Sequence, residues 1–241
     1  MDKHFELTDK FIINAFGVKL FQIKCTRKIK YADIGDLGGY IEKEDNLSGN
    51  AWVSGNAWVS GNAWVSGNAK VSDNAQVFDN AQVFGDAWVS GNAQVFGDAW
   101  VSGNAQVSDN AQVFDNAQVS DNAWVSGNAW VSGNAWVSGN AKVSGNAQVF
   151  GKARVSGNAQ VFGKARVSND NEHCGFDCFG SANRHTHSYK TKSGKIEITC
   201  GCFLGSIEEF EKQIKETHQG NEFERQYIAI VEVIKIKFGL K

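Results

Sequence analysis

Seven side chains near the C-terminal end are of types that bind metals or attack electrophiles: His173, Cys174, Cys178, His185, His187, Cys200 and Cys202. Thiolates and imidazoles are the tetrahedral ligands of zinc, so Cys174, Cys178, His185, His187, Cys200 and Cys202 form a candidate zinc set. Their spacing is C-x3-C and C-x-C rather than the paired C-x2-C of many zinc modules. The expectation is therefore no cofactor, with zinc as the exception. A second reading is nucleophilic. Cys200 or Cys202 would be activated by His185 or His187, which requires hydrogen-bond reach between thiol and imidazole. A third reading is plain packing of reduced thiols in a small module. Just upstream, Lys152, Arg154, Lys164 and Arg166 cluster in the sequence. They are candidates for an anion site, or else solvated charges that guard an open end.

The segment that must position these groups is a repeat. From Ala51, Ala recurs at every sixth position to Ala165, and Val follows two residues after each, from Val53 to Val167. Within a repeat, A-x-V-[SF] alternates inward and outward residues, and a pair drawn from Gly, Asn, Asp and Lys then turns the chain. Such a unit is too short for a helix or a hairpin meander. Stacked parallel coils solve the packing, each strand pairing with its equivalents above and below.

The motif Val53-Ser54-Gly55-Asn56-Ala57-Trp58 and its other copies resemble the hexapeptide-repeat family. That resemblance implies a left-handed parallel β-helix of three repeats per 18-residue coil, about 6.7 coils in all. The expected fold class is mainly β: this solenoid over residues 49–168, a β-hairpin cap over 1–48, and a small α+β module over 169–241, read as ββαα. Sorting the outward residues by coil puts Trp52, Trp58, Trp64, Trp88, Trp100, Trp124, Trp130 and Trp136 on the three outer faces. Phe78, Phe96 and Phe114 stack on the second face. These aromatics either cover neighbouring coils or form an apolar surface for a homotrimer or a flat polymeric ligand. Asp73, Asp79, Asp86, Asp98, Asp109, Asp115 and Asp121 sit in the middle coils without the dense oxygen spacing of a calcium loop.

The best-known hexapeptide-repeat proteins are acyltransferases, which use a base His, a loop excursion and a trimer cleft. None of the five His falls within residues 49–168, and no loop interrupts the repeats. The expectation is therefore a protein that is not an enzyme, with acyl transfer as a lesser alternative.

The formal net charge of -2 creates no global field for nucleic acid or an anionic membrane. No apolar run approaches the roughly 20 residues of a membrane span, and MDKHFELTDKF has no signal-type apolar core. Five cysteines, an odd number, suit a reducing cytoplasm. Gly35-Asp36-Leu37-Gly38-Gly39-Tyr40-Ile41-Glu42 with Asp45-Asn46-Leu47 resembles the lead-in of uncharacterised phage and prophage hexapeptide-repeat proteins. Gly180-Ser181, Gly201-Cys202-Phe203 and Glu208-Glu209-Phe210 resemble their C-terminal module, although Ala182 stands where that pattern carries Arg. The resemblance implies a scaffold or binding protein in the cytoplasm of a bacterial host. It would oligomerise through the solenoid and recognise a host protein through the tail. Sequestration of a small anion, such as a signalling nucleotide, is the alternative.

Overall fold

A computed structural model describes residues 3–240. The hexapeptides wind a parallel β-solenoid with three outer sheets. Strands pair with those 18 residues on, as Trp88 with Gln106 and Val89 with Val107. The Trp88 N–H donates to the Ala105 carbonyl and the Ser90 N–H to the Val107 carbonyl, both at 2.9 Å. Every solenoid Val from Val53 to Val167 is fully buried, and the Ala residues line the same core. The alternation of inward Ala and Val with outward residues produces this core directly.

The corners stack as strictly as the strands. Along one of them Asn56, Asn74, Asn92, Asn110, Asn128 and Asn146 form a ladder. Each side-chain NH2 donates to the next Asn oxygen at 3.0–3.3 Å. An amide can do this indefinitely because it carries both donor and acceptor. The other corner position needs positive φ. Gly occupies it at most corners, and Asp73, Asp79, Asp109, Asp115 and Asp121 take it at φ 58–63°. Each of these Asp lies between glycines in the coils above and below. Its carboxylate accepts the N–H of the following Gly, as Asp73 does from Gly91 at 3.0 Å and Asp109 from Gly127 at 2.9 Å. Asp86 and Asp98 replace Asn instead: Asp98 accepts from Asn80, and Asp86 pairs with Lys30.

Both open ends are covered. Strands β1 (Phe5–Ile13) and β2 (Lys19–Cys25) form an antiparallel hairpin, and β3 (Leu37–Ile41) pairs antiparallel with β2. On its other side β3 pairs parallel with the Trp58–Val59 strand, so the N-terminal segment prolongs one face into a ten-stranded sheet. This covering corrects one expectation. Trp52 and Trp58 do not face solvent: they are 2% and 7% exposed. The His4 ring lies 6.4 Å from Trp52, and Phe16 and Phe78 lie 6.4 and 5.5 Å from Trp58.

The C-terminal module also departs from the ββαα expectation. Its sheet has four antiparallel strands in chain order: His173–Phe179, Arg184–Lys190, Ile196–Cys200 and Phe203–Ser206. Helices α1 (Ile207–His218) and α2 (Glu222–Phe238) pack on it. Ser206 caps α1 in a capping box with Glu209, and Asn221 caps α2. Among the described residues no helix is long and apolar enough to cross a membrane.

The alternation of Asp with Gly keeps carboxylates two coils apart, about 9.6 Å. Gly91→Asp would set a carboxylate directly between Asp73 and Asp109, whereas nothing lies within 4 Å of a Cβ at Gly157. Both substitutions are strained at positive φ, and a Cβ at Gly91 also meets the Asp109 backbone at 2.8–3.0 Å, so the part of their difference that salt removes is what reports the stacked carboxylates. Gly91→Asp should be less stable than Gly157→Asp by about 1–2 kcal/mol, with a gap that narrows in high salt. Thermal melts of the two variants check this; equal melting temperatures would refute it.

Candidate binding sites in the C-terminal module

The module is seated on the last coil by three residues of its second and third strands. The His187 Nδ1 lies 2.8 Å from the Gln160 carbonyl oxygen, and Thr199 Oγ1 donates to the same oxygen at 3.3 Å. Tyr189, fully buried, plugs the hydrophobic end of the solenoid and belongs to its core. Burial there raises the Tyr189 phenol well above its ordinary range. His187 is shut in, its Nε2 lying 3.0 Å from His173 Nδ1. Loss of solvation pulls its imidazole down to about 3, against the opposing pull of the Gln160 carbonyl. His173 is lowered as well, mainly by burial. His185 turns to Asp177, at 2.7 Å, and Asp177 also ends an asparagine ladder by accepting from Asn158.

The sequence-derived chemistry is thus dispersed. Among the described residues no three His, Cys, Asp or Glu side chains converge on a point that could hold a metal ion. Cys174 Sγ lies 3.0 Å from the Ser188 hydroxyl. The Cys200 thiol accepts from Thr186 at 3.4 Å and donates to Tyr227 at 3.8 Å, with no imidazole among its partners. Cys178 and Cys202 are exposed free thiols.

What the sheet and α1 do form together is a cavity of about 480 Å³. Its apolar floor is Phe203, Phe210 and Tyr227, with Phe203 and Phe210 5.0 Å apart. Arg184, Cys202 and His218 line its polar side, and the His218 ring stacks on Tyr227 at 5.5 Å. Gly201, at φ 61°, is needed here: a Cβ would come within 2.7 Å of the Arg184 guanidinium. Burial and the Cys200 thiol push the Tyr227 phenol up to about 12, so it stays a neutral hydrogen-bonding group. Among the described residues no carboxylate pairs with Arg184. Of this site, sequence reasoning singled out Cys200 and Cys202 and missed Arg184 and the aromatic floor. The segments Gly201-Cys202-Phe203 and Glu208-Glu209-Phe210 contribute Cys202, Phe203 and Phe210 to its lining.

The four basic residues of the last coils do not converge as one group. Arg154 stacks on Trp136 in the six-stranded sheet, and Arg166 lies 4.7 Å over Phe150 in the ten-stranded one. Lys152 and Lys164 occupy corners.

The outer aromatics obey a rule of their own. Trp64, Trp88, Trp100, Trp124, Trp130 and Trp136 are 42–44% exposed because each indole leans on the residue 16 positions earlier. Where that residue is Ser, the indole N–H donates to its hydroxyl, as in Trp64 to Ser48 at 2.8 Å and Trp88 to Ser72 at 3.0 Å. Trp124 and Trp136 do the same to Ser108 and Ser120. Where it is Phe, the rings meet edge to face: Phe84 with Trp100 and Phe114 with Trp130, both at 6.2 Å. Phe78, Phe96 and Phe114 stack face to face at 5.0 Å.

The seating has a pH signature. A free His titrates near 6.5, whereas folded His187 stays neutral down to about 3. Above about pH 6.5 the group is neutral in both states and costs nothing. As the pH falls below that value, only the unfolded chain takes the proton, so stability is lost, by up to about 1.4 kcal/mol per pH unit. His187→Gln should flatten the fall in melting temperature between pH 6.5 and 4 relative to the unsubstituted protein. Parallel curves for the two proteins would contradict this.

The repeats match the family model described as the YdcK beta solenoid repeat over residues 51–67, 75–91, 93–109, 111–127 and 117–133. No curated protein matches the chain. In its repeats the chain is similar to that family, and by its geometry it is a β-solenoid repeat protein.

Proposed function

We propose that this chain is a non-catalytic binding protein in which the solenoid is a rigid stalk and the C-terminal module recognises a partner. The observation that carries the reading is the Arg184 cavity: an aromatic floor beside a guanidinium with no carboxylate on it. Such a site suits a segment of a partner protein that ends in, or carries, a carboxylate next to an apolar side chain. Of the tail's histidines, His218 lines the cavity and stacks on Tyr227, while His187 is buried against Gln160 and His185 pairs with Asp177. Acyl transfer finds no support in the solenoid, which contains no histidine.

The setting inferred from the resemblance is a phage- or prophage-type protein in the cytoplasm of a bacterial host, assembled as a homotrimer. Six half-exposed Trp side chains favour such assembly, because they leave apolar area on all three faces. Their indole N–H groups need no partner from a second chain where Ser already accepts them.

Two measurements test these statements. In affinity capture from host extract, a protein retained in stoichiometric amount by the unsubstituted chain should be lost with Arg184→Glu and kept with Lys152→Gln. Identical captured sets for all three would remove the cavity from the reading. Light scattering after gel filtration should give three times the chain mass of 26.3 kDa. Exchange of Trp124, Trp130 and Trp136 for Gln should return the single-chain mass with the β-sheet circular dichroism retained. A monomer before any substitution would overturn the trimer.

A further inference from the structure

The isolated bridge between Ala165 and Thr191 joins the last coil to the turn between the second and third strands of the tail. It is antiparallel, so Arg166 lies beside Lys190. Thr191 points inward, and Lys190 and Lys192 on either side of it both point outward. The turn itself is locked: the Thr191 N–H and hydroxyl both donate to the Lys195 carbonyl, and the Gly194 N–H donates back to Thr191. Arg166 is held over the Phe150 ring. Three cationic side chains on a held backbone therefore border one open cleft. Like charges side by side on neighbouring strands are unfavourable, and the fold maintains them here. Among the described residues no acidic side chain pairs with Arg166, Lys190 or Lys192. Glu172 also lines the cleft, its carboxylate turned to the N–H and hydroxyl of Ser168, both at 2.7 Å, so three cations face one carboxylate and the cleft keeps a net positive charge.

We propose that this cleft binds a phosphate-bearing small molecule. A guanidinium presents a planar fork to phosphate oxygens, and two ammonium groups add the point charges that a multiply charged phosphate needs. The cleft is open to solvent, so contacts to the phosphate carry the recognition, with Phe150 beneath Arg166 as the apolar residue beside them. The bound anion would lie between Arg166 and Lys190 and relieve their repulsion. The site is separate from the Arg184 cavity and stands whether or not that cavity recognises a protein.

Calorimetric titration of the full chain with ATP, and separately with inorganic pyrophosphate, tests the assignment at low salt. One ATP per chain should bind with a Kd below about 1 mM. Arg166→Gln and Lys192→Gln should each weaken it by about tenfold or more. Lys142→Gln, on the seven-stranded sheet over Trp124, and Arg184→Gln, in the other cavity, should leave it unchanged. Pyrophosphate competing with ATP upholds phosphate as the recognised group. No saturable heat with either probe overturns the proposal, as does an affinity indifferent to both Arg166→Gln and Lys192→Gln. A single-stranded oligonucleotide that binds more tightly than ATP and loses affinity in the same two variants overturns the small-molecule assignment in favour of nucleic acid.

Discussion

Every side chain in the solenoid has its equivalent 18 residues away as its nearest neighbour across the sheet, about 4.8 Å distant, and the other features follow from that contact. A residue type survives in such a stack only if it tolerates a copy of itself or a chosen alternate. Val and Ala tolerate copies by packing. Asn does so by donating to the next Asn, as from Asn56 to Asn146. Phe does so by stacking, as Phe78, Phe96 and Phe114 show. Asp does not, because adjacent carboxylates repel, so at the positive-φ corner it alternates with Gly and takes the Gly N–H as its partner. The repeat is thus a set of solutions to self-contact rather than a single conserved word.

A stack must end, and the two ends are closed by different means. At the start, β3 pairs with the Trp58–Val59 strand and continues the sheet by backbone hydrogen bonding. At the finish the backbone contributes one antiparallel bridge, Ala165 to Thr191, and side chains do the rest. Tyr189 fills the core, while His187 and Thr199 share the exposed Gln160 carbonyl. The second solution places a titratable ring in the seam. An imidazole there is useful only while neutral, which links the seating of the tail to proton concentration.

The solenoid was legible in the sequence because its period is short, unbroken and carried by inward Ala and Val. The assignment of outward residues to three faces, and the stacked Phe, also followed from counting by 18. The burial of Trp52 and Trp58 did not, since it depends on His4 and Phe16, which arrive from a hairpin outside the period. In the tail, the two helices of the ββαα reading are present, α1 marked by Ser206 and Glu209, and the turn at Ser193-Gly194 marks the hairpin that joins the second and third strands. The His173–Phe179 strand was hidden because Gly175 weakens its pattern and an irregularity near Cys178, at φ 63°, breaks its alternation. The cluster of His and Cys invited a metal or a nucleophile. Folding instead sends alternate residues of one strand to different neighbours, so Thr186 meets Cys200 while His187 meets Gln160.

The same periodicity bears on where specific recognition can reside. A surface repeated every coil offers any ligand several near-identical places, so it suits self-association or polymers rather than one small molecule. Unique chemistry requires a break in the repeat, and the structure has its richest one where the last coil meets the tail. Arg166 illustrates the point. In the coil it is one more outward residue over an aromatic, equivalent in position to Gln148 and Trp130. It acquires a distinct environment only because the chain returns at Thr191 and sets Lys190 beside it. Arg184 likewise gains its aromatic neighbours from the Phe203–Ser206 strand, α1 and α2, not from its own strand. The sites therefore sit at the ends of the order, and the length of the solenoid sets how far from its N-terminal cover they are held.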